Sequence, residues 1–154
     1  MQYTVKKPIN NNILRVVDPT GCELIVTGRG IGFGAKPGYK VDAEQVERSY
    51  RMTSPAVQKK LVELLEQSPY EHLLLTDELV EDIRSRVHYP LNESLLITLA
   101  DHISFAIKRS EQGIRFSNPL MEPIREFYPE EYRLGMESLA KIRQRCVADL
   151  SDDE

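Results

Sequence analysis

The sequence predicts an α+β chain: an N-terminal four-stranded antiparallel β-sheet domain that dimerises, followed by a five-helix all-α bundle. Three observations predict it. Residues 1–55 are rich in β-formers interrupted by Asn, Gly and Pro, the punctuation of hairpins. Beyond Pro55 the apolar residues recur at helical spacing. Between the two, at "TSP" (53–55), the composition changes, which divides the chain into domains 1–55 and 56–154.

The strands come first. "YTVKKPI" (3–9) and "ILRVV" (13–17) flank "NNN", and asparagine accepts the left-handed angles of a tight hairpin. Pro8 places its strand at an edge or on a bulge. "DPTG" (18–21) is a turn signal, and "CELIVT" (22–27) is a third strand. "AKPGYK" (35–40) reads as another turn, and "VERSYRM" (46–52) as the fourth strand. One such sheet buries little apolar area by itself. Pairing with a second copy about a two-fold axis is the usual remedy.

The helices follow. Ser54 is placed to cap the first, with Pro55 in its first position and Val57, Leu61, Leu64 and Leu65 on one face. "HLLLTDELVEDIRSRVH" (72–88) carries Leu75, Leu79, Ile83 and Val87. Residues 92–113 form a third helix, capped by Asn92, striped by Leu96, Leu99, Ile103 and Ile107, and ended by Gly113. "NPLMEPIREF" (118–127) is a short helix that Pro123 should distort. "PEEYRLGMESLAKIRQRCVADL" (129–150) is the fifth, and the acidic "SDDE" end reads as frayed or truncated.

Composition narrows the class. With 41% hydrophobic and 29% charged residues the chain is an ordinary soluble globular one. No apolar run approaches the roughly 18 residues that span a bilayer, and "MQYTVKKPINNN" lacks a secretory core. Cys22 and Cys146 stand far apart, as free thiols in a reducing cytoplasm do. The net charge of −4 is uneven: residues 1–55 hold eight Lys or Arg against five acids, and the remainder is acidic. The front half is the one that would attract an anion.

"TGRGIGFG" (27–34) is the stretch whose chemistry is least ordinary. A dinucleotide fingerprint needs GxGxxG between a strand and a helix, but Gly28, Gly30, Gly32 and Gly34 alternate strictly and no Walker lysine follows. Two readings remain. The glycines permit a tight chain crossing, or they bring a nucleic acid close to the backbone. In the second case Arg29 offers a planar fork to a phosphate or base edge, and Phe33 offers a stacking face. Asn10, Asn11, Asn12 and Lys7 add amides and charge, although the asparagines also suit a plain turn. His102 lies mid-helix, toward the flank of the apolar stripe, beside Asp101. A lone helical histidine is more often structural than chemical. His72 and His88 show no metal-ligand spacing, and no nucleophilic triad stands out. Neither an enzyme, nor a metal, nor a cofactor is therefore indicated.

"KKPINNNILRVVDPTGCELIVTGRGIGFG" closely resembles the co-antiterminator (CAT) RNA-binding domain of bacterial transcriptional antiterminators of the BglG/SacY type. "LNESLLITLADHISFAIKR", followed by "NPLMEPIREFYPEEYRLG", resembles the first phosphotransferase-system (PTS) regulation domain, PRD, of the same proteins. The resemblance implies a cytoplasmic homodimer that binds a leader-mRNA hairpin, blocks terminator formation and opens a sugar-uptake operon. It implies RNA contacts at Lys7, Asn10, Asn12, Gly28, Arg29 and Phe33, with Lys6, Lys36 and Lys40 adding phosphate attraction. It also implies phosphorylation of His102 by the phosphocarrier HPr or a sugar-specific enzyme II. The chain departs from the family at Pro8 and Thr27, and it ends before the second regulatory histidine, so it reads as a fragment. Two other classes stay open: a histidine phosphotransfer module on a helix bundle, and a β-rich interaction domain with no RNA role.

Overall fold

A computed structural model describes residues 1–51 and 54–154. Met52, at the end of the expected fourth strand, and Thr53, in the composition break, lie outside the described residues. The elements are β1 (Gln2–Asn10), β2 (Ile13–Val17), β3 (Glu23–Thr27), β4 (Lys40–Asp42), a 3-10 turn (Ala43–Gln45), β5 (Arg48–Tyr50), α1 (Pro55–Gln67), α2 (Tyr70–Arg86), α3 (Leu95–Glu111), α4 (Met121–Phe127) and α5 (Pro129–Cys146). The chain forms two compact units, Met1–Tyr70 and Glu71–Glu154.

The sheet has five strands rather than four, in the order β4-β1-β2-β3-β5, and every neighbouring pair is antiparallel. The strand that sequence reading lacks is β4, most of which follows the expected turn at 35–40. It pairs Gln2, Tyr3 and Thr4 of β1 with Asp42, Val41 and Lys40. Three residues with one buried side chain, Val41, leave no alternation to read; the partner strand makes this one. β1 is therefore internal along its first half. Pro8 lies beyond the β4 pairing, where the β1–β2 register shifts between Val5 and Lys7 and again between Pro8 and Asn10. A residue without an N–H is tolerated at such an irregularity.

Both alternations of the central strands are buried within one chain. Tyr3, Val5, Leu14, Val16, Leu24, Val26 and Val41 form one cluster, against which Ile31, Ala35, Ala43 and Val46 pack. Ile13 and Ile25, of the opposite alternation, are fully buried too. α1, with Leu61, Leu64 and Leu65 buried, belongs to this first unit and contacts β1. The sheet is thus not the bare surface that motivated a second copy, because α1 and residues 31–46 supply apolar cover from the same chain.

The five expected helices are all present, and α2 to α5 make the second unit apart from Tyr70. Its core joins Leu75 and Leu79 of α2, Ile103, Ala106 and Ile107 of α3, and Leu139 and Ile142 of α5, with Leu150 beyond. Three local expectations are corrected. Ser94, not Asn92, is the N-cap of α3; the Asn92 Oδ1 accepts the Ser94 N–H (2.8 Å) one turn earlier. Pro123 sits in the first turn of α4, where a missing N–H costs nothing, so it does not distort the helix. The acidic end is docked, not frayed. Arg143 donates to the Leu150 carbonyl (2.8 Å) and to Asp152 (2.8 Å), and Arg109 pairs with Glu154, whose side chain is 5% exposed.

Candidate nucleic-acid interface

The segment 28–34 leaves β3 as overlapping turns. Ile31 N–H donates to the Gly28 carbonyl (3.2 Å), Phe33 N–H to Gly30 (3.0 Å) and Ala35 N–H to Gly32 (3.2 Å). Its four glycines serve two purposes in alternation. Gly30 and Gly34 have φ of +71° and +69°, angles that L side chains resist. Gly28 and Gly32 have no such angle; instead they are crowded. A Cβ on Gly28 would lie 2.3 Å from the Gln45 carbonyl oxygen, and one on Gly32 would lie 2.0 Å from that of Asn10.

The crowding partner is the β1–β2 hairpin. Gly28 N–H donates to the Asn12 carbonyl (3.0 Å), and Gly32 N–H to that of Asn11 (2.9 Å). The Asn12 side-chain Oδ1 accepts the Gly30 N–H (2.8 Å). Asn10 Oδ1 accepts the Asn12 N–H (2.9 Å), while its Nδ2 donates to the Leu65 carbonyl of α1 (3.2 Å). The turn owes nothing to left-handed asparagines, since none of the three has positive φ. They act through their amides, tying their own loop to the glycine loop and to α1. The first reading of the glycine stretch holds: it is a close chain crossing, and Arg29 and Phe33 stand exposed on it.

Phe33 is 82% exposed. Arg29 is exposed, and its guanidinium has no hydrogen bond or ion pair to another described residue. Its backbone N–H donates to Glu47 Oε1 (3.2 Å). Lys7 and Lys36 are exposed. Lys6 is engaged by Glu23, and Lys40 Nζ donates to Thr4 Oγ1 (2.7 Å), so these two are tethered to the sheet. Gly28 is buried, and Asn10 and Asn12 are half-buried. The Lys6 and Arg15 contacts hold the Glu23 carboxyl below the usual glutamate range.

His102 lies on the exposed side of α3 in the other unit, with Nε2 2.8 Å from the Glu154 carbonyl oxygen. It borders a cavity of about 270 Å³ lined by Leu79, Leu99, Ile103, Met136 and Leu139, with Asp152 and Asp153 alongside. His72 Nδ1 is 3.1 Å from Ser104 Oγ, and burial pushes its pKa down. Sequence reading passed over Glu47, whose carboxylate holds the Arg29 backbone; nothing local distinguishes it from any exposed acid.

Comparison with known proteins agrees with this arrangement. The CAT RNA binding domain family matches residues 3–59, and the PRD domain family matches residues 77–154. The chain is 33% identical over 150 residues to the transcription antiterminator LicT of Bacillus subtilis (strain 168), covering 97% of this chain and 54% of that one. It is also 33% identical over 150 residues to a beta-glucoside operon antiterminator of Dickeya chrysanthemi, covering 53% of it. The crystal structure of GlcT CAT-PRDI superposes with a TM-score of 0.79 at 31% identity, over 98% of this chain and 90% of that one. The chain spans about half the length of the curated relatives it matches. These relatives are regulators and not enzymes; among the described residues no helix is long and apolar enough to cross a membrane. The chain belongs to the BglG/SacY-type antiterminator family, with a CAT RNA-binding domain followed by a PRD.

Proposed function

We propose that this chain binds a hairpin in a leader mRNA through the 28–34 loop and the 10–12 hairpin, and that the whole protein thereby prevents a terminator from forming ahead of a sugar-uptake operon. The observation that carries this is Phe33, 82% exposed, on the same loop as an Arg29 guanidinium that has no partner among the described residues, with the loop backbone held by the neighbouring hairpin. Sequence-specific RNA recognition takes unstacked bases from internal loops and bulges. A rigid loop with an aromatic face and a planar cation suits that task, since little ordering entropy remains to be lost. Lys7 and Lys36 add phosphate attraction. Gly28 contributes by closeness, and Asn10 and Asn12 contribute by setting the loop and by the amide groups they present.

The functional protein is a cytoplasmic homodimer in this reading, so that two copies of the loop address one hairpin. In this reading RNA binding belongs to 1–55 and regulation to 56–154, with α1 packed in the sheet-bearing unit. His102 receives a phosphoryl group from HPr or an enzyme II of the phosphotransferase system. That group adds roughly two negative charges to the surface of α3.

Fluorescence anisotropy with the leader hairpin upstream of the adjoining transport gene tests the RNA role. The wild-type chain binds with sub-micromolar affinity that weakens with salt, by a slope of roughly −0.7 per single-strand phosphate neutralised. Arg29→Ala abolishes the binding with the fold retained, and Arg29→Lys restores little of it because a point charge does not replace the fork. Wild-type affinity in both Arg29→Ala and Phe33→Ala would remove the loop from the interface.

A further inference from the structure

Glu47 is an exposed acid on the very loop cluster that the proposed function sets against RNA. A carboxylate there repels phosphates. Yet it is fastened on both sides. Its Oε1 accepts the Arg29 backbone N–H (3.2 Å) and its Oε2 accepts the Tyr70 hydroxyl (3.0 Å). Its own backbone N–H donates to the Thr27 carbonyl (2.8 Å). Gln45, two residues earlier, presents the carbonyl that crowds Gly28. Arg29 and Tyr70 therefore meet on the Glu47 side chain, and the strand end at Thr27 meets its backbone. Asn10 makes a parallel tie from the hairpin to Leu65 of α1.

We infer that Glu47 is a positioning residue for RNA recognition: it helps fix the backbone at Arg29, and with it the point from which the guanidinium reaches out, while Tyr70 holds the carboxylate in place. This rests on the RNA reading above. Gly28 and Gly30 on either side are tied to Asn12, and the contact to Glu47 adds the tie made by the Arg29 N–H itself; the Arg29 side chain is anchored by nothing among the described residues. Glu47 touches no base in this assignment; it acts through Arg29.

The sign of the effect separates this from a bland surface acid. Removing a mere surface acid beside RNA tightens binding at low salt. Removing a positioning residue weakens it. Binding of the same leader hairpin is measured for the whole chain and its variants. Glu47→Ala is expected to weaken binding about tenfold, the scale of losing a charged hydrogen bond. Glu47→Gln, which can accept from Arg29 and donate to Tyr70, is expected to bind as well as wild type or better. Tyr70→Phe is expected to weaken binding a few-fold. In an Arg29→Ala background Glu47→Ala is expected to cost nothing further, and the Arg29 amide resonance should shift in both Glu47→Ala and Tyr70→Phe. Should Glu47→Ala fail to fold, Glu47→Gln against Tyr70→Phe carries the comparison. A wild-type chain that binds while Glu47→Ala binds equally or more tightly overturns this inference alone. A wild-type chain that does not bind overturns the RNA reading, and this inference with it.

Discussion

Gly32 packs against the Asn10 main chain so closely that a Cβ on the glycine would stand 2.0 Å from the Asn10 carbonyl oxygen. The backbone oxygen belongs to a hairpin strand end and has nowhere to go. Gly32→Ala is expected to destabilise the first unit by about 1–3 kcal/mol, the usual cost of overpacking, and to weaken RNA binding by separating the two loops. Denaturant unfolding checks the first and anisotropy the second. Gly135, in α5, is the control: among the described residues nothing beyond its chain neighbours and its own helix backbone lies within 4 Å of its Cβ position. Gly135→Ala is expected to stabilise by roughly 0.5–1 kcal/mol through helix propensity.

Phe33→Ala separates recognition from stability. The ring is 82% exposed, so its loss is expected to change unfolding free energy by less than about 0.5 kcal/mol. The loss of base stacking is expected to cost about 1–3 kcal/mol in RNA binding, roughly a 5- to 150-fold drop in affinity. A stable variant that keeps full affinity would take Phe33 out of the interface.

Asp18 is expected to contribute to the acid limit of the first unit. Its Oδ1 accepts from the Thr20 hydroxyl (2.6 Å), the Cys22 N–H (2.9 Å) and the Thr20 N–H (2.8 Å), and its Oδ2 pairs with Arg51 (2.9 Å). The Thr20 and Cys22 hydrogen bonds, helped by Arg51, lower its pKa from 3.8. A carboxylate with a lowered folded pKa stabilises the fold in full above its unfolded value and loses that contribution as pH falls through the folded one. Thermal melts from pH 6 downward should therefore stay level until about pH 4 and then decline. Asp18→Asn should start lower and decline less. Parallel pH profiles would show that another group sets the acid limit.

The phosphoryl transfer to His102 proposed above requires access to a ring nitrogen, and Nε2 is engaged by the Glu154 main-chain oxygen at 2.8 Å. Arg109 fastens the same residue through its carboxylate. Glu154→Ala frees that anchor, and the initial rate of labelling by phosphorylated HPr is expected to rise several-fold. His102→Ala in the same assay should abolish label at this site. An unchanged rate in Glu154→Ala would mean that the segment does not shield the ring.

Much of this was legible in local sequence. "ILRVV" is β2 residue for residue, because alternation and the flanking turns fall within a few positions of each other. Leu96, Ile103 and Ile107 are buried on α3, as their spacing requires. The glycine loop stood out as chemically special, and Arg29 and Phe33 stood out within it. Other features had no local signature. β4 exists because β1 accepts it. Asn10 and Asn12, which the sequence offers as turn formers or as RNA contacts, are struts between segments. α1 joins the sheet-bearing unit although its pattern continues the helical half, and the acidic end is held by Arg109 and Arg143.

Local sequence located the helices and every strand but β4, since periodicity and turn chemistry are properties of neighbouring residues. Tertiary structure alone decided why Gly28 and Gly32 must lack a side chain, and what Glu47 holds. Both depend on backbones far apart in the chain meeting within van der Waals or hydrogen-bond range, and no single segment records which partner it will meet.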